Sequence, residues 1–213
     1  MLYPIFLRLD GKKCLVVGGG QVAERKIAGL LQAGAEVLVV SPEVTERIEG
    51  WAGAGRVMWY RRLFQPDDVE QAHLVYAATD DAAVNAMIAR ECQQRKTWVN
   101  VVDDPERGDF FLPAVLRRGH LQLAVSTGGQ SPVFARKLRD HLARSIGPEY
   151  GEINDLLGEL RQILLARIPD PGERQRIMEG LLAEGFWEDL VRGEMEKVKE
   201  RIKNVFGDCW PQS

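Results

Sequence analysis

Leu15-Val16-Val17-Gly18-Gly19-Gly20-Gln21-Val22-Ala23 decides how the first half of this chain is read. An apolar run enters a glycine turn and leaves it in a helical pattern. A strand therefore delivers the turn to the edge of a sheet, and the turn opens a helix. Gly18 permits the tight turn, Gly20 lets backbone approach a diphosphate, and Ala23 keeps the helix near the strand. The free N–H groups and partial positive charge at the helix start favour phosphate. The spacing, G-x-G-x-x-A, is a form of the dinucleotide fingerprint. Taken alone it also fits a glycine turn in a doubly wound domain that binds no nucleotide.

The residues around the turn favour the nucleotide. The following helix is expected over 22–33 and ends at Gly34, a residue suited to the C-cap. Glu36-Val37-Leu38-Val39-Val40 is a second apolar strand. Glu43 follows about 20 residues after the turn, where such folds set an acid against the ribose hydroxyls. No arginine immediately follows this strand, which favours NAD over NADP. Pro42 leaves the direction of the Glu43 carboxylate open.

Further along, the pattern predicts a short helix over 43–54, a strand over 56–60, a turn of helix near 66–70 and a strand over 74–78. A helix over 81–95 carries Val84, Met87, Ile88 and Cys92 at helical spacing, and a fifth strand covers 98–102. Valine-rich strands alternating with helices imply a parallel sheet covered on both faces. Polar residues gather at the C-terminal ends of the strands: Thr79, Asp80 and Asp81 after the fourth, Asn100, Asp103 and Asp104 at the fifth. The ligand crevice of an open α/β sheet lies outside those ends. Asp103 and Asp104 read equally as an ordinary Asp-Asp-Pro turn or as a carboxylate placed for general-base work. Asp80 and Asp81 also suit a helix cap.

The alternation stops near Leu112. Residues 113–118 read as a short helix-like segment and 121–126 as a half-buried strand. Ser131 and Pro132 then form a cap and first residue for a helix to about Ser145. This middle segment is too small to hold a core alone and should pack on the first domain or on a second subunit. From Gly147 the chain is mainly helical, interrupted at 169–172.

Gly128-Gly129 ahead of the capped helix is a second anion-site pattern. Arg117, Arg118, Arg136, Lys137, Arg139 and Arg144 surround it, with Asp140 as the sole acid between Leu112 and Ser145. A polycarboxylate pocket and a solvated basic helix face both fit, the latter slightly better.

The net charge of −3 over 213 residues gives no reason to expect nucleic acid. No apolar run is long enough for a bilayer, and the N-terminus lacks the features of a signal peptide. Three scattered cysteines form neither a disulfide framework nor a zinc spacing, so a cytoplasmic location is the simplest expectation. His73, His120 and His141 fall at no ligand spacing, and no metal site is expected.

Six stretches in order resemble one family. They are Pro4-Ile5-Phe6-Leu7, the run from Val16 to Lys26, Ala77-Ala78-Thr79-Asp80-Asp81, Val99-Asn100-Val101-Val102-Asp103, Asp109-Phe110-Phe111-Leu112-Pro113-Ala114, and Ala124-Val125-Ser126-Thr127-Gly128-Gly129-Gln130-Ser131-Pro132. The chain is similar to precorrin-2 dehydrogenase, the first module of siroheme synthase, over residues 1 to about 146. The resemblance implies an α/β chain: a Rossmann-type NAD-binding domain over 1–112, a small α+β dimerisation and substrate region over 113–146, and a helical C-terminal domain over 147–213. It implies NAD-dependent oxidation of precorrin-2 to sirohydrochlorin by a homodimer, with Asp103 catalytic. Gln21, Val22, Pro42 and Glu43 would meet the cofactor, beside Gly18, Gly20, Thr79, Asp80 and Asn100. Ser126, Thr127, Gly128, Gly129, Arg117, Arg118 and Arg136 would hold substrate carboxylates.

Some members of the family also insert ferrous iron into sirohydrochlorin, and the sequence leaves that activity open. The length leaves no room for a methyltransferase module, so another enzyme would make precorrin-2. Two other readings remain: an NAD-sensing regulatory subunit without catalysis, and a tetrapyrrole carrier.

Overall fold

The computed structural model describes residues 2–102, 104–183 and 185–205. The chain divides between Leu112 and Pro113 into two compact units.

The first unit alternates strand and helix: β1 (Lys13–Val17), α1 (Gln21–Gln32), β2 (Glu36–Val40), α2 (Glu46–Gly53), β3 (Val57–Tyr60), a 3-10 turn (Pro66–Val69), β4 (Leu74–Ala77), α3 (Ala82–Arg95) and β5 (Trp98–Val101). All five strands are parallel, in the order β3-β2-β1-β4-β5. This is the parallel sheet expected from the alternation, in the Rossmann-like form that the resemblance implies. The order reverses between β1 and β4, so the crevice of the fold lies beyond their C-terminal ends.

Strand periodicity explains how both faces are covered. Cys14 and Val16 pack with Ala23, Ile27 and Leu30 of α1 and Ile48 of α2. Leu15 and Val17 point the other way and pack with Ile88, Ala89 and Cys92 of α3. Burial pushes the thiols of Cys14 and Cys92 up to about 11 and about 12, which makes them neutral core residues.

One helix starts later than its sequence suggests. Residues 43–45 are not helical, and α2 begins at Glu46 after Thr45, whose hydroxyl oxygen accepts from the Ile48 N–H at 3.4 Å. A Thr cap satisfies a donor that would otherwise be orphaned, and so sets the helix start.

The second unit holds β6 (Ala114–Arg118), β7 (Leu121–Val125), α4 (Pro132–Ser145), α5 (Glu149–Arg167), α6 (Pro171–Leu181), α7 (Phe186–Val191) and α8 (Met195–Asn204). The helix-like reading of 113–118 is corrected here, since the segment is a strand. Ala, Leu and Arg favour helix locally, but Arg118 pairs antiparallel with Leu121 across the two-residue turn Gly119-His120. Gly119 has φ +54°, as the first central position of a type II′ hairpin turn requires.

The hairpin packs on α4 and α5 within this unit. The approach is close: a Cβ on Gly151 of α5 would lie 2.6 Å from the Arg118 carbonyl oxygen. Ile153, Leu160, Leu164, Phe186, Leu190, Val198 and Ile202 form the helical core. Among the described residues no helix is long and apolar enough to cross a membrane.

Candidate nucleotide-binding site

The turn after β1 is built from contacts that exclude side chains. Gly18 has φ +113°, and a Cβ there would lie 2.2 Å from the Ala78 carbonyl oxygen. A Cβ on Gly19 would lie 1.9 Å from the Glu43 carbonyl oxygen. The two glycines let the ends of β1 and β4 and the loop after β2 converge. The Gly18 N–H donates to the Val40 carbonyl at 3.0 Å, and the Ala78 N–H donates to that of Val17 at 2.8 Å.

Gly20 differs from both. A Cβ there would meet nothing within 4 Å. Gly20 is the N-cap of α1, and among the described residues no side chain caps the helix. The first N–H groups of an α-helix have no partner within it. An open helix start with uncapped donors fits a diphosphate. Gln21 is exposed, Val22 is half-buried and Ala23 is fully buried against the sheet.

The loop from Ser41 to Thr45 is held at several points. The Ser41 N–H donates to the Tyr60 carbonyl at 3.2 Å. The Trp59 indole Nε1–H donates to the Ser41 carbonyl at 2.9 Å, and the Ser41 hydroxyl donates to the Glu43 carbonyl at 2.6 Å. The Thr45 N–H donates to the Gly19 carbonyl at 2.9 Å. Pro42 and Glu43 themselves are exposed on this loop.

Beyond β4, Thr79 is fixed by Asn85 of α3. The Thr79 N–H donates to Asn85 Oδ1 at 3.2 Å, and Asn85 Nδ2 donates to the Thr79 carbonyl at 2.9 Å. The Thr79 hydroxyl donates to the same Oδ1 at 2.8 Å. Asn85 is buried, and this ring of bonds satisfies its amide. Asp81 caps α3, its carboxylate accepting from the Ala83 and Val84 N–H groups at 2.7 and 3.2 Å. Asp80 is exposed.

At β5, Asn100 Nδ2 donates to the Phe110 carbonyl at 2.8 Å. Asp109 engages both backbone groups of Val99: its N–H donates to the Val99 carbonyl at 2.7 Å, and its carboxylate accepts from the Val99 N–H at 2.9 Å. Phe110 meets the Tyr76 ring edge-on at 5.5 Å, and Lys26 Nζ lies 5.4 Å from the centre of the Tyr76 ring. Burial raises the Tyr76 phenol above its ordinary range. Asp103 lies outside the described residues. Asp104 pairs with Arg107 at 2.7 Å.

In the second unit, Thr127-Gly128-Gly129-Gln130 turns with φ +65° and +87° at its two glycines, and the Gln130 N–H donates to the Thr127 carbonyl at 3.2 Å. Ser126 Oγ accepts from the Gly128 N–H at 3.2 Å, and Thr127 Oγ1 accepts from the Ser131 N–H at 3.0 Å. Ser131 caps α4 through the Phe134 N–H at 3.2 Å.

Arg117 and Arg136 are exposed. Arg118 is not free in the same way. Its guanidinium donates to the carbonyls of Ile146, Ala143 and Arg117 at 2.9, 3.2 and 3.2 Å, which ties the hairpin to the end of α4. His120 Nδ1 lies 2.9 Å from Asp155 Oδ1. Among the described residues no group of three or more His, Cys, Asp or Glu could hold a metal ion.

Glu24 and Asp109 fall within the stretches that carry the resemblance, but neither they nor Trp59 and Asn85 were read as site residues in the sequence. Of the four, Glu24, Trp59 and Asp109 bond to partners 10 to 21 residues away, a distance at which no local pattern speaks. Thr45 alone carried a signal, as a cap residue before an acidic turn.

Residues 5–114 match a family model described as "Putative NAD(P)-binding", and residues 118–145 match one described as "Sirohaem biosynthesis protein central". "Siroheme synthase 3" of Aeromonas hydrophila is 40% identical over 206 residues, covering 96% of this chain and 44% of that protein. "Siroheme synthase" of Methylobacillus flagellatus is 42% identical over 190 residues, covering 89% and 39%. The chain thus spans less than half the length of these curated relatives. The solved structure of "SirC, precorrin-2 dehydrogenase" superposes with a TM-score of 0.76 at 28% identity, over 95% of this chain and 100% of that one. The second model spans β7 and α4. With the first covering its glycine turn and all five parallel strands, the chain belongs to the NAD(P)-binding family that this model describes.

Proposed function

We propose that this chain is an NAD-dependent dehydrogenase that oxidises precorrin-2 to sirohydrochlorin. The observation that carries the reading is the open start of α1 at Gly20, in a fold that matches a precorrin-2 dehydrogenase over 95% of this chain. The sirohaem-biosynthesis match over 118–145 favours this over a nucleotide sensor without catalysis.

The reaction removes a hydride and a proton from the reduced macrocycle. Bound NAD would supply the hydride acceptor. The protein's part is to hold, orient and deprotonate. The backbone N–H groups at Gly20, Gln21 and Val22 take the diphosphate, with Gly18 shaping the turn. Pro42 and Glu43 present the ribose-reading loop, and the exposed Glu43 favours NAD, since a carboxylate there repels a 2′-phosphate. Thr79, Asp80 and Asn100 line the ends of β4 and β5.

Asp103, two residues beyond β5, accepts the substrate proton. Ser126, Thr127, Gly128 and Gly129, with Arg117 and Arg136, receive the acetate and propionate groups. Arg118 supports that region through the α4 carbonyls. Residues 113–146 form the contact between two copies of the chain, and sirohydrochlorin with ferrous iron is a second substrate pair to assay.

The test is to follow NADH formation by purified protein given precorrin-2 and NAD. Turnover is expected, and its absence in protein that binds both molecules would overturn the dehydrogenase. Asp103→Asn should bind NAD as the parent does and lose about a hundredfold or more in turnover. An unchanged rate would remove Asp103 from proton transfer.

A further inference from the structure

We propose that Glu24 is a positioning residue that straps the ribose-reading loop to the phosphate-binding turn and thereby sets nucleotide affinity. The inference rests on the nucleotide-binding reading of the first unit and extends it to a residue outside the fingerprint.

Three independent bonds meet at Thr45. Its N–H donates to the Gly19 carbonyl at 2.9 Å. Its hydroxyl donates to Glu24 Oε2 at 2.7 Å, and the same oxygen accepts from the Ile48 N–H to cap α2. Arg47 donates to the other carboxylate oxygen, Oε1, at 3.2 Å, and its guanidinium lies 4.9 Å from the centre of the Trp51 ring. Glu24 is 19% exposed, so both its oxygens are engaged in a partly sheltered place. The carboxylate lies in the first turn of α1, while Thr45 and Arg47 belong to the start of α2. It is therefore a side-chain link between the helix that opens toward a diphosphate and the segment that follows Glu43.

The link has a geometric and an electrostatic side. A carboxylate suits a helix N-terminus, but unpaired it would repel an incoming diphosphate. The Thr45 hydroxyl and Arg47 guanidinium answer that charge while fixing the loop. Preorganising a loop raises affinity by removing the ordering cost from the binding step.

Glutamine separates the two sides, because it keeps an acceptor for Thr45 and removes the charge. Equilibrium titration with NAD should show Glu24→Ala weakened about fivefold, the equivalent of one net hydrogen bond, and Glu24→Gln within about twofold of the parent. Amide hydrogen exchange on the cofactor-free protein should show the Thr45 N–H less protected in Glu24→Ala and not in Glu24→Gln. With precorrin-2 present, KM for NAD should rise in Glu24→Ala while kcat holds.

Unchanged NAD affinity and Thr45 protection in Glu24→Ala would overturn the proposal, as would Glu24→Gln binding as poorly as alanine. If Glu24→Ala does not fold, Glu24→Asp, one methylene short of Thr45, takes its place with the same expectations. A parent protein that binds no NAD would fail the nucleotide reading instead, and the exchange measurement would still decide whether Glu24 holds the loop.

Discussion

Two glycine turns in this chain each open a helix, and they differ in where the donors go. At Gly18-Gly19-Gly20 the first two glycines are required by neighbouring backbone, and the third leaves the start of α1 open. Among the described residues no side chain caps that helix. At Gly128-Gly129 the glycines are required by their own positive φ, with nothing within 4 Å of either Cβ position. There the Gly128 N–H, the Ser131 N–H and the first turn of α4 are answered by Ser126, Thr127 and Ser131. Glycines before a helix look alike in sequence. What separates the open helix start, fitted to a diphosphate, from the capped one is whether side chains already occupy the donors of its first turn.

The contrast can be broken most severely at Gly18. Gly18→Ala sets a Cβ against the Ala78 carbonyl in a left-handed conformation, so thermal or denaturant unfolding should show a loss of about 3 kcal/mol or more. A mild effect would mean that β1 and β4 can separate at their ends. Gly20→Val should act differently, with folding retained and NAD affinity reduced more than about tenfold, because the side chain enters the open space at the helix start. Unchanged titration would move the diphosphate elsewhere.

The smallest effect is expected at the second turn. Ser131→Ala should cost the protein about 1 kcal/mol through the lost cap, with NAD binding untouched. A fall in NAD affinity in this variant would erase the distinction between the two turns.

The same contrast governs the arginines after Leu112. Their positive charge was plain in the sequence, but not their division of labour. Arg117 and Arg136 remain exposed, whereas Arg118 holds the end of α4 through the carbonyls of Ala143 and Ile146. Likewise Asp81 was legible as a helix cap, while Asn85, which clamps Thr79 from inside α3, was not. Caps act over two or three residues and leave a local pattern. The clamp depends on a helix turning a buried amide back toward the loop that precedes it.

The sequence by itself determined the parallel sheet, the glycine turn into α1, and the Ser131-Pro132 start of α4. Each follows from short-range periodicity or from a backbone preference of the residue concerned. Only the tertiary structure decided that residues 114–118 form a strand, that α2 waits until Glu46, and that Glu24 and Trp59 grip the loop carrying Glu43. Those outcomes depend on partners brought close by folding. A hairpin mate overrode the helix preference of Ala, Leu and Arg, and hydrogen bonds from distant elements fixed a loop whose own residues do not prescribe its path.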